Sequence, residues 1–196
     1  MGNPEKMARA FQLFDEANSK YPNKEEYEGN LHPKELLYAK RMTETLKFFA
    51  PEASETVQLS ARCQHLRRWE IPRERYEMNR VGYLKWRQEL KKFHAEKATE
   101  ILEEVGYDSE TIGQVQFLLL KKQLKKSAET QTLEDVICLV FMTYYLEDFA
   151  QKHQRDKLID ILQKTWRKMS EKGQAAALEL PFSDETALLV REAISG

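Results

Sequence analysis

The sequence predicts an all-α protein, a single helical bundle of about eight helices spanning residues 1–196. All six prolines stand at the starts or ends of segments with helical periodicity, and the 108 residues from Arg73 to Leu180 contain none. Only seven glycines occur, and no Asn-Gly or Asp-Gly separates alternating apolar runs. Because hairpin signals are absent, strands are expected to be negligible.

The first half of the chain is predicted to form four helices, over residues 4–19, 33–49, 54–70 and 80–105. Each has apolar residues at three- or four-residue spacing, the second is entered through its proline, and the fourth is stopped by Gly106. The polar stretch 21–30 is interpreted as a linker.

The second half is predicted to form four more helices. Asp108 or Ser109 caps the fifth, and Thr132 with Asp135 resembles a capping box that opens the apolar stretch 136–146. The length and cap of this stretch favour a central helix over a buried strand. A seventh helix is expected from Arg155 to about Lys172, ending at Gly173, with a short eighth after Pro181.

Composition indicates a globular protein. Hydrophobic residues make up 41% of the chain and charged residues 32%, without eighteen consecutive apolar residues, so no membrane span is expected. No secretory signal is visible near the start, which favours a cytoplasmic location. Cys63 and Cys138 lie in apolar helical stretches and match no metal or redox spacing, so both are expected to be reduced and buried.

Charge is unevenly distributed although its net value is only −1. Residues 62–92 carry ten Lys or Arg against four Glu, a balance of +6, whereas residues 127–154 carry one Lys against five acids, a balance of −4. One interpretation is that the two segments face each other or water within one domain. The other is that the basic segment receives phosphates.

Two histidines stand on apolar helix faces and are the first candidates for chemistry. His94 shares a stripe with Leu90, Ala98 and Arg87, and His65 shares a face with Arg68. A lone inward histidine is more often a core residue. Two of them beside arginines raise the hypothesis of a divalent metal that polarises a phosphate.

The remaining site candidates follow from that hypothesis. Glu134 or Asp135 would complete a metal site with His65 and His94. The other explanation of both acids is helix capping and compensation of the helix dipole, and for Asp135 alone it is the favoured one. Guanidinium groups hold phosphates well, and the candidates near the histidines are Arg68, Arg73 and Arg87. Trp69 and Tyr83 are expected to line the same cleft.

Several motifs resemble a known family. They are Pro33-Lys-Glu-Leu-Leu-Tyr-Ala-Lys-Arg-Met42, Gln64-His-Leu-Arg-Arg-Trp-Glu-Ile-Pro-Arg73, Gly82-Tyr-Leu-Lys-Trp-Arg87, Phe93-His-Ala95, Leu133-Glu-Asp-Val136 and Lys164-Thr-Trp-Arg-Lys-Met-Ser170. Together they resemble the family catalogued as domain of unknown function number 4202 across nearly the whole chain. The resemblance implies one helical domain without an assigned reaction.

The segment from His94 to Gly106 is also similar, more loosely, to the HD-domain phosphohydrolases, whose helical bundles bind divalent metals. That similarity implies an HD-domain-like bundle with a divalent metal such as Mn, Mg, Co, Fe or Zn. This chain has no His-Asp dipeptide, and Asp135 reaches the last ligand role only with a shifted register. The implied metal motif is therefore altered.

These observations lead to two functional hypotheses. The first is a metal-assisted phosphohydrolase, or a nucleotide-binding relative of that class, acting on a phosphate-containing small molecule. The alternative is a non-catalytic helical module that binds RNA or a nucleotide through residues 62–92. A protein-interaction domain is a third hypothesis without specific support in the sequence.

Overall fold

Helices dominate the computed structural model, which describes residues 3–195 and is 72% helical. The all-α prediction is confirmed. Ten α-helices lie in the described part of the chain: α1 Pro4–Ser19, α2 Lys34–Phe49, α3 Glu55–Arg62, α4 Arg80–Val105, α5 Ser109–Leu119, α6 Ala128–Tyr144, α7 Leu146–Ala150, α8 Arg155–Lys168, α9 Glu171–Leu178 and α10 Asp184–Ser195. Two short strands, β1 Lys24–Tyr27 and β2 Asn30–Pro33, separate α1 from α2.

Side-chain caps set several helix starts. Asp108 accepts a hydrogen bond from the Thr111 backbone N–H and caps α5, as predicted. The predicted capping box at Thr132 and Asp135 is wrong, because α6 begins a turn earlier, where Ser127 accepts from the Thr130 N–H. Gly106 ends α4 in the left-handed conformation, with φ of +86°, which confirms the predicted stop.

A β-hairpin begins in the stretch predicted to be a linker, residues 21–30, and extends to Pro33. β1 and β2 pair antiparallel around Glu28 and Gly29, whose φ angles of +51° and +75° are typical of a type I′ turn. Glu-Gly is a weaker signal for this turn than Asn-Gly or Asp-Gly, so the pattern missed it. Arg41 of α2 secures the hairpin through an ion pair with Glu25, with a nitrogen–oxygen distance of 2.5 Å.

Two predicted helices are interrupted in the structure. The third ends at Arg62 rather than near Glu70. Residues 63–67 form turns, and Arg67 adopts a left-handed φ of +53° and donates its backbone N–H to Asn18 Oδ1. Two 3₁₀ turns, Arg68–Glu70 and Arg73–Arg75, follow before α4. The seventh breaks at Met169, so Gly173 lies inside α9 instead of ending a helix.

The core has two parts. One joins α2 and α6 to α8, α9 and α10, and the other joins α1, α3, α4 and α5. α6 is central, as predicted, although α2 buries just as many side chains, nine each. Cys63 and Cys138 are buried free thiols, which confirms their prediction. No helix among residues 3–195 has the length and apolarity needed to cross a membrane.

Candidate functional site

A cleft of about 420 Å³ opens between α2, α4, α6, α7 and α8. Five residues predicted for the site line it, namely His65, Arg68, Tyr83, Arg87 and Glu134. The further lining residues are Glu35, Tyr38, Gln64, Lys121, Ile137, Cys138, Phe141, Tyr145, Phe149, Ile161, Thr165 and Lys168. A cavity of similar volume between α7, α8 and α10 has one arginine, Arg155, which pairs with Glu192 and leaves no cluster of cations there.

The two predicted histidines meet at the wall of this cleft. Their ring centroids lie 5.9 Å apart, across the segment after α3 and the middle of α4. His94 is buried behind His65, and its Nδ1 must donate to the Leu66 carbonyl oxygen, 2.9 Å away. Burial lowers the pKa of His94 to about 3, so its imidazole is neutral at pH 7.

His65 belongs to a chain of hydrogen bonds. Its Nδ1 lies 3.1 Å from Glu35 Oε2, and Arg68 Nη1 lies 3.0 Å from its Nε2. Since arginine only donates, Nε2 accepts from Arg68 and Nδ1 carries the proton toward Glu35. Tyr38 stacks on the imidazole with centroids 4.0 Å apart, which fixes the orientation of the ring.

Burial also shifts the charge balance of this group. It lowers the pKa of His65 well below its ordinary value, and the neighbouring Arg68 guanidinium lowers it further. Burial raises the pKa of Glu35, an effect that Arg68 partly opposes. His65 is therefore a neutral imidazole at pH 7, and it does not add to the positive charge of the cleft.

A buried ion pair also lines the cleft. Lys121, from the loop after α5, donates to Glu134 Oε2 of α6, and Lys168 Nζ at the end of α8 lies 3.7 Å from Glu134 Oε1. The side chain of Glu134 is only 4% exposed and that of Lys121 12%. Burial raises the pKa of Glu134, but Lys121 and Lys168 lower it more, so the carboxylate is ionised at neutral pH.

The positive charge of the cleft exceeds what its carboxylates neutralise. Four cationic side chains line it against two carboxylates, a net charge of +2. Arg68 and Arg87 form no salt bridge with any carboxylate of residues 3–195. The Arg68 guanidinium lies 5.0 Å from the ring centroid of Trp86, which in turn is anchored by a hydrogen bond to the Ile71 carbonyl. Both guanidinium groups are therefore available to an anion.

The other end of the cleft is apolar and aromatic. On α6, Phe141 lies seven residues beyond Glu134, and on α8, Ile161 lies seven residues before Lys168. Seven residues of helix correspond to about 10 Å. The start of α6 lies near the end of α8, since Gln131 donates to the Lys168 backbone carbonyl. Both helices therefore change from charged to apolar in the same direction, toward Phe149.

The predicted metal set does not fit this geometry. Asp135 does not line the cleft, because its carboxylate accepts from the Ser170 N–H at 2.8 Å, the Ser170 hydroxyl at 2.5 Å and Gln131 Nε2 at 3.0 Å. Glu134 is held by two ammonium groups, which repel a divalent cation. Among residues 3–195 no group of three or more His, Cys, Asp and Glu is arranged to hold a metal ion.

Two other predicted site residues lie outside the cleft. Arg73 donates to the backbone carbonyls of Tyr76, Glu77 and Asn79, so it holds the loop before α4 instead of facing a ligand. Trp69 packs edge-on against Tyr21, with ring centroids 5.1 Å apart. Trp69 was expected beside His65 because it lies four residues further along a predicted helix, but that helix ends at Arg62 and Arg67 adopts a left-handed conformation.

Sequence reasoning missed several cleft residues that come from distant segments. Glu35, Lys121 and Lys168 join the site only through tertiary packing. Gln64 could have been found from its position next to His65 in the sequence. Its side chain is buried, at 6% exposed, and its Oε1 has no hydrogen-bond partner within the described residues. A buried acceptor of this kind indicates that a ligand donor can complete it.

The fold and the cleft together define a helical protein with a cationic, partly aromatic cleft. The chain belongs to the family described as Domain of unknown function (DUF4202), which matches residues 8–190. No curated protein and no solved structure was found to match the chain. The likeness to HD-domain proteins remains a prediction.

Proposed function

We propose that the cleft binds a phosphorylated small molecule with an apolar or aromatic organic part, of the size of a nucleotide. The observation that carries the proposal is the pair of guanidinium groups, Arg68 and Arg87, which face the cleft without a carboxylate partner among residues 3–195. Arginine is suited to phosphate because its planar fork donates two parallel hydrogen bonds to two oxygens.

The shape of the cleft supports a small organic phosphate. Its volume of about 420 Å³ is within the range of small-molecule sites, and its cationic and aromatic ends are separated by about 10 Å along α6 and α8. A phosphate at Arg87 would leave the organic part beside Phe141 and Phe149. Gln64 Oε1 is available to a neutral donor on that part.

Part of the positive charge of the basic segment is already satisfied within the protein. Arg62 is paired with Asp15 and Arg67 with Glu70, while Arg73 is committed to backbone carbonyls. Positive charge that is satisfied within the protein contributes little to a phosphate-binding surface. Arg68 and Arg87 lie in the cleft, which is too small for a folded nucleic acid. Exposed cations without a salt bridge among residues 3–195 also occur on α4, namely Arg80, Lys85 and Lys92, and the Arg80→Ala variant tests whether they bind RNA.

Isothermal titration calorimetry with nucleoside monophosphates and with ribose 5-phosphate tests this function. We expect Arg87→Ala to weaken binding about tenfold or more, since a hydrogen bond to a charged group contributes about 1.5–3 kcal/mol. Arg80→Ala is the matched control, because Arg80 is an exposed arginine on the same helix outside the cleft. The Arg80→Ala variant should bind these phosphates with the affinity of the wild type.

Two results would contradict the proposal. The first is that the wild type binds none of the phosphorylated compounds and that Arg87→Ala gives the same titration result. The second is salt-sensitive binding of single-stranded RNA that Arg80→Ala and Arg87→Ala weaken equally, which would favour the basic segment as the binding surface.

A further inference from the structure

Lys121 occupies a position in the backbone that does not favour lysine. It lies just past the end of α5, where its N–H bonds the Leu118 carbonyl and the Lys122 N–H bonds the Phe117 carbonyl. This pattern is a Schellman motif, in which the residue at this place adopts a left-handed conformation and is usually glycine. Lys121 has a φ of +53°, so the chain keeps a side chain here at a conformational cost.

The conformation directs the ammonium group into the cleft. Lys121 lines the cleft and donates to Glu134, which is almost completely buried. Glu134 also faces Lys168, so this carboxylate is shared between two ammonium groups. A single carboxylate cannot neutralise both, and the pair therefore retains an excess positive charge within reach of the cleft.

We propose that the Lys121 ammonium group contacts the ligand's phosphate inside the cleft, in the role that was expected of a divalent metal. This inference rests on the proposed phosphate-binding function and specifies how it works. Glu134 holds Lys121 in position and competes with the phosphate for its hydrogen bonds. Binding is consequently independent of metal ions.

Glu134→Gln discriminates between Lys121 and a metal as the phosphate-binding group, because the two predict opposite changes in phosphate affinity. If Lys121 contacts the phosphate, removal of the competing carboxylate should tighten binding of inorganic phosphate by several-fold. If Glu134 were a metal ligand, the same change should abolish any metal-dependent binding. Titration calorimetry with inorganic phosphate, after dialysis against EDTA and again with added Mn²⁺, measures the metal-free and the metal-dependent affinity.

Variants of the lysine complete the test. Lys121→Met should weaken phosphate binding about tenfold or more, while Lys122→Met, an exposed neighbour outside the cleft, should leave it unchanged. Because Lys121→Met leaves Glu134 buried without its main partner, the double variant Lys121→Met/Glu134→Gln preserves the side-chain shapes without the charges. It should fold and should bind phosphate as weakly as the single lysine variant.

Three outcomes would overturn the inference. Binding that requires Mn²⁺ would restore the metal hypothesis. A double variant that binds phosphate as tightly as the wild type, with Arg87→Ala still impaired, would remove Lys121 from the site and leave the proposed function intact. Failure of the wild type to bind phosphate or any nucleotide would reject both proposals.

Discussion

The close approach of α9 to α6 predicts an unusual coupling between Gly173 and Asp135. A Cβ added at Gly173 would lie 2.7 Å from both Cγ and Oδ1 of Asp135, closer than side-chain atoms can pack. The carboxylate cannot yield, because Ser170 and Gln131 hold it through three hydrogen bonds. Gly173→Ala should therefore strain this contact.

The expected magnitude follows from opposing contributions. Overpacking costs about 1–3 kcal/mol, and alanine is favoured over glycine within a helix by up to about 1 kcal/mol. We expect Gly173→Ala to lower the free energy of unfolding by about 1–2 kcal/mol. For a chain of this length the melting temperature should fall by about 3–6 °C.

Removal of the carboxylate should reverse the sign of this effect. Asp135→Ala alone should cost about 3 kcal/mol, because it deletes three hydrogen bonds to a buried charge. In that background the three nearest atoms to the new Cβ are gone, so Gly173→Ala should stabilise by up to about 1 kcal/mol. The coupling energy between the two sites is then about 2–3 kcal/mol.

Urea unfolding followed by circular dichroism at 222 nm measures all four members of this cycle. The reasoning is refuted if Gly173→Ala is neutral in the wild type, or if the two substitutions are additive. A small effect of Asp135→Ala would also show that its hydrogen bonds with Ser170 and Gln131 contribute little to stability.

Two further predictions concern titratable groups. His94 has a pKa of about 3 in the folded state and about 6.5 when unfolded, so the unfolded state binds more protons below pH 6.5. The free energy of unfolding therefore decreases as the pH is lowered. His94 should account for a loss of about 2 kcal/mol in the free energy of unfolding between pH 6.5 and 4.5. In urea unfolding, His94→Gln should therefore depend less steeply on pH than the wild type. Equal pH dependence of the two proteins would contradict this. Burial raises the pKa of Cys138 to about 12 and that of Cys63 further above its ordinary value, so neither thiol should react with Ellman's reagent at pH 8 until denaturant is added. Rapid reaction of either thiol in the native protein would show that the cleft or the core is more open than described.

Local signals located most of the helices. The proline positions, the cap at Asp108 and the stop at Gly106 act within a few residues, so they are visible without the fold. The failures share one cause, which is that a distant partner decides the local conformation. Asn18 accepts from the Arg67 backbone where α3 was expected to continue, and Arg41 secures a hairpin in the stretch interpreted as a linker.

The site was predictable in part for the same reason. His65, Arg68 and Arg87 could be selected because helical spacing places them together on inward or basic faces. Glu134 was selected for another reason, as a carboxylate that would complete a metal site with the histidines. Their neighbours could not be selected, since Lys121 enters the cleft through a left-handed backbone at a position where the sequence shows no glycine.

The sequence by itself determined the helical class, the buried thiols and the residues that face inward, because these depend on periodicity, caps and side-chain polarity. Only the tertiary structure decided what the inward charges do. The partner of Glu134 is an ammonium from a loop thirteen residues away, and that of Asp135 is a helix start thirty-five residues away. Whether a buried carboxylate holds a metal, a lysine or a backbone N–H depends on which group packing brings within about 3 Å, and helical periodicity carries no information about that distance.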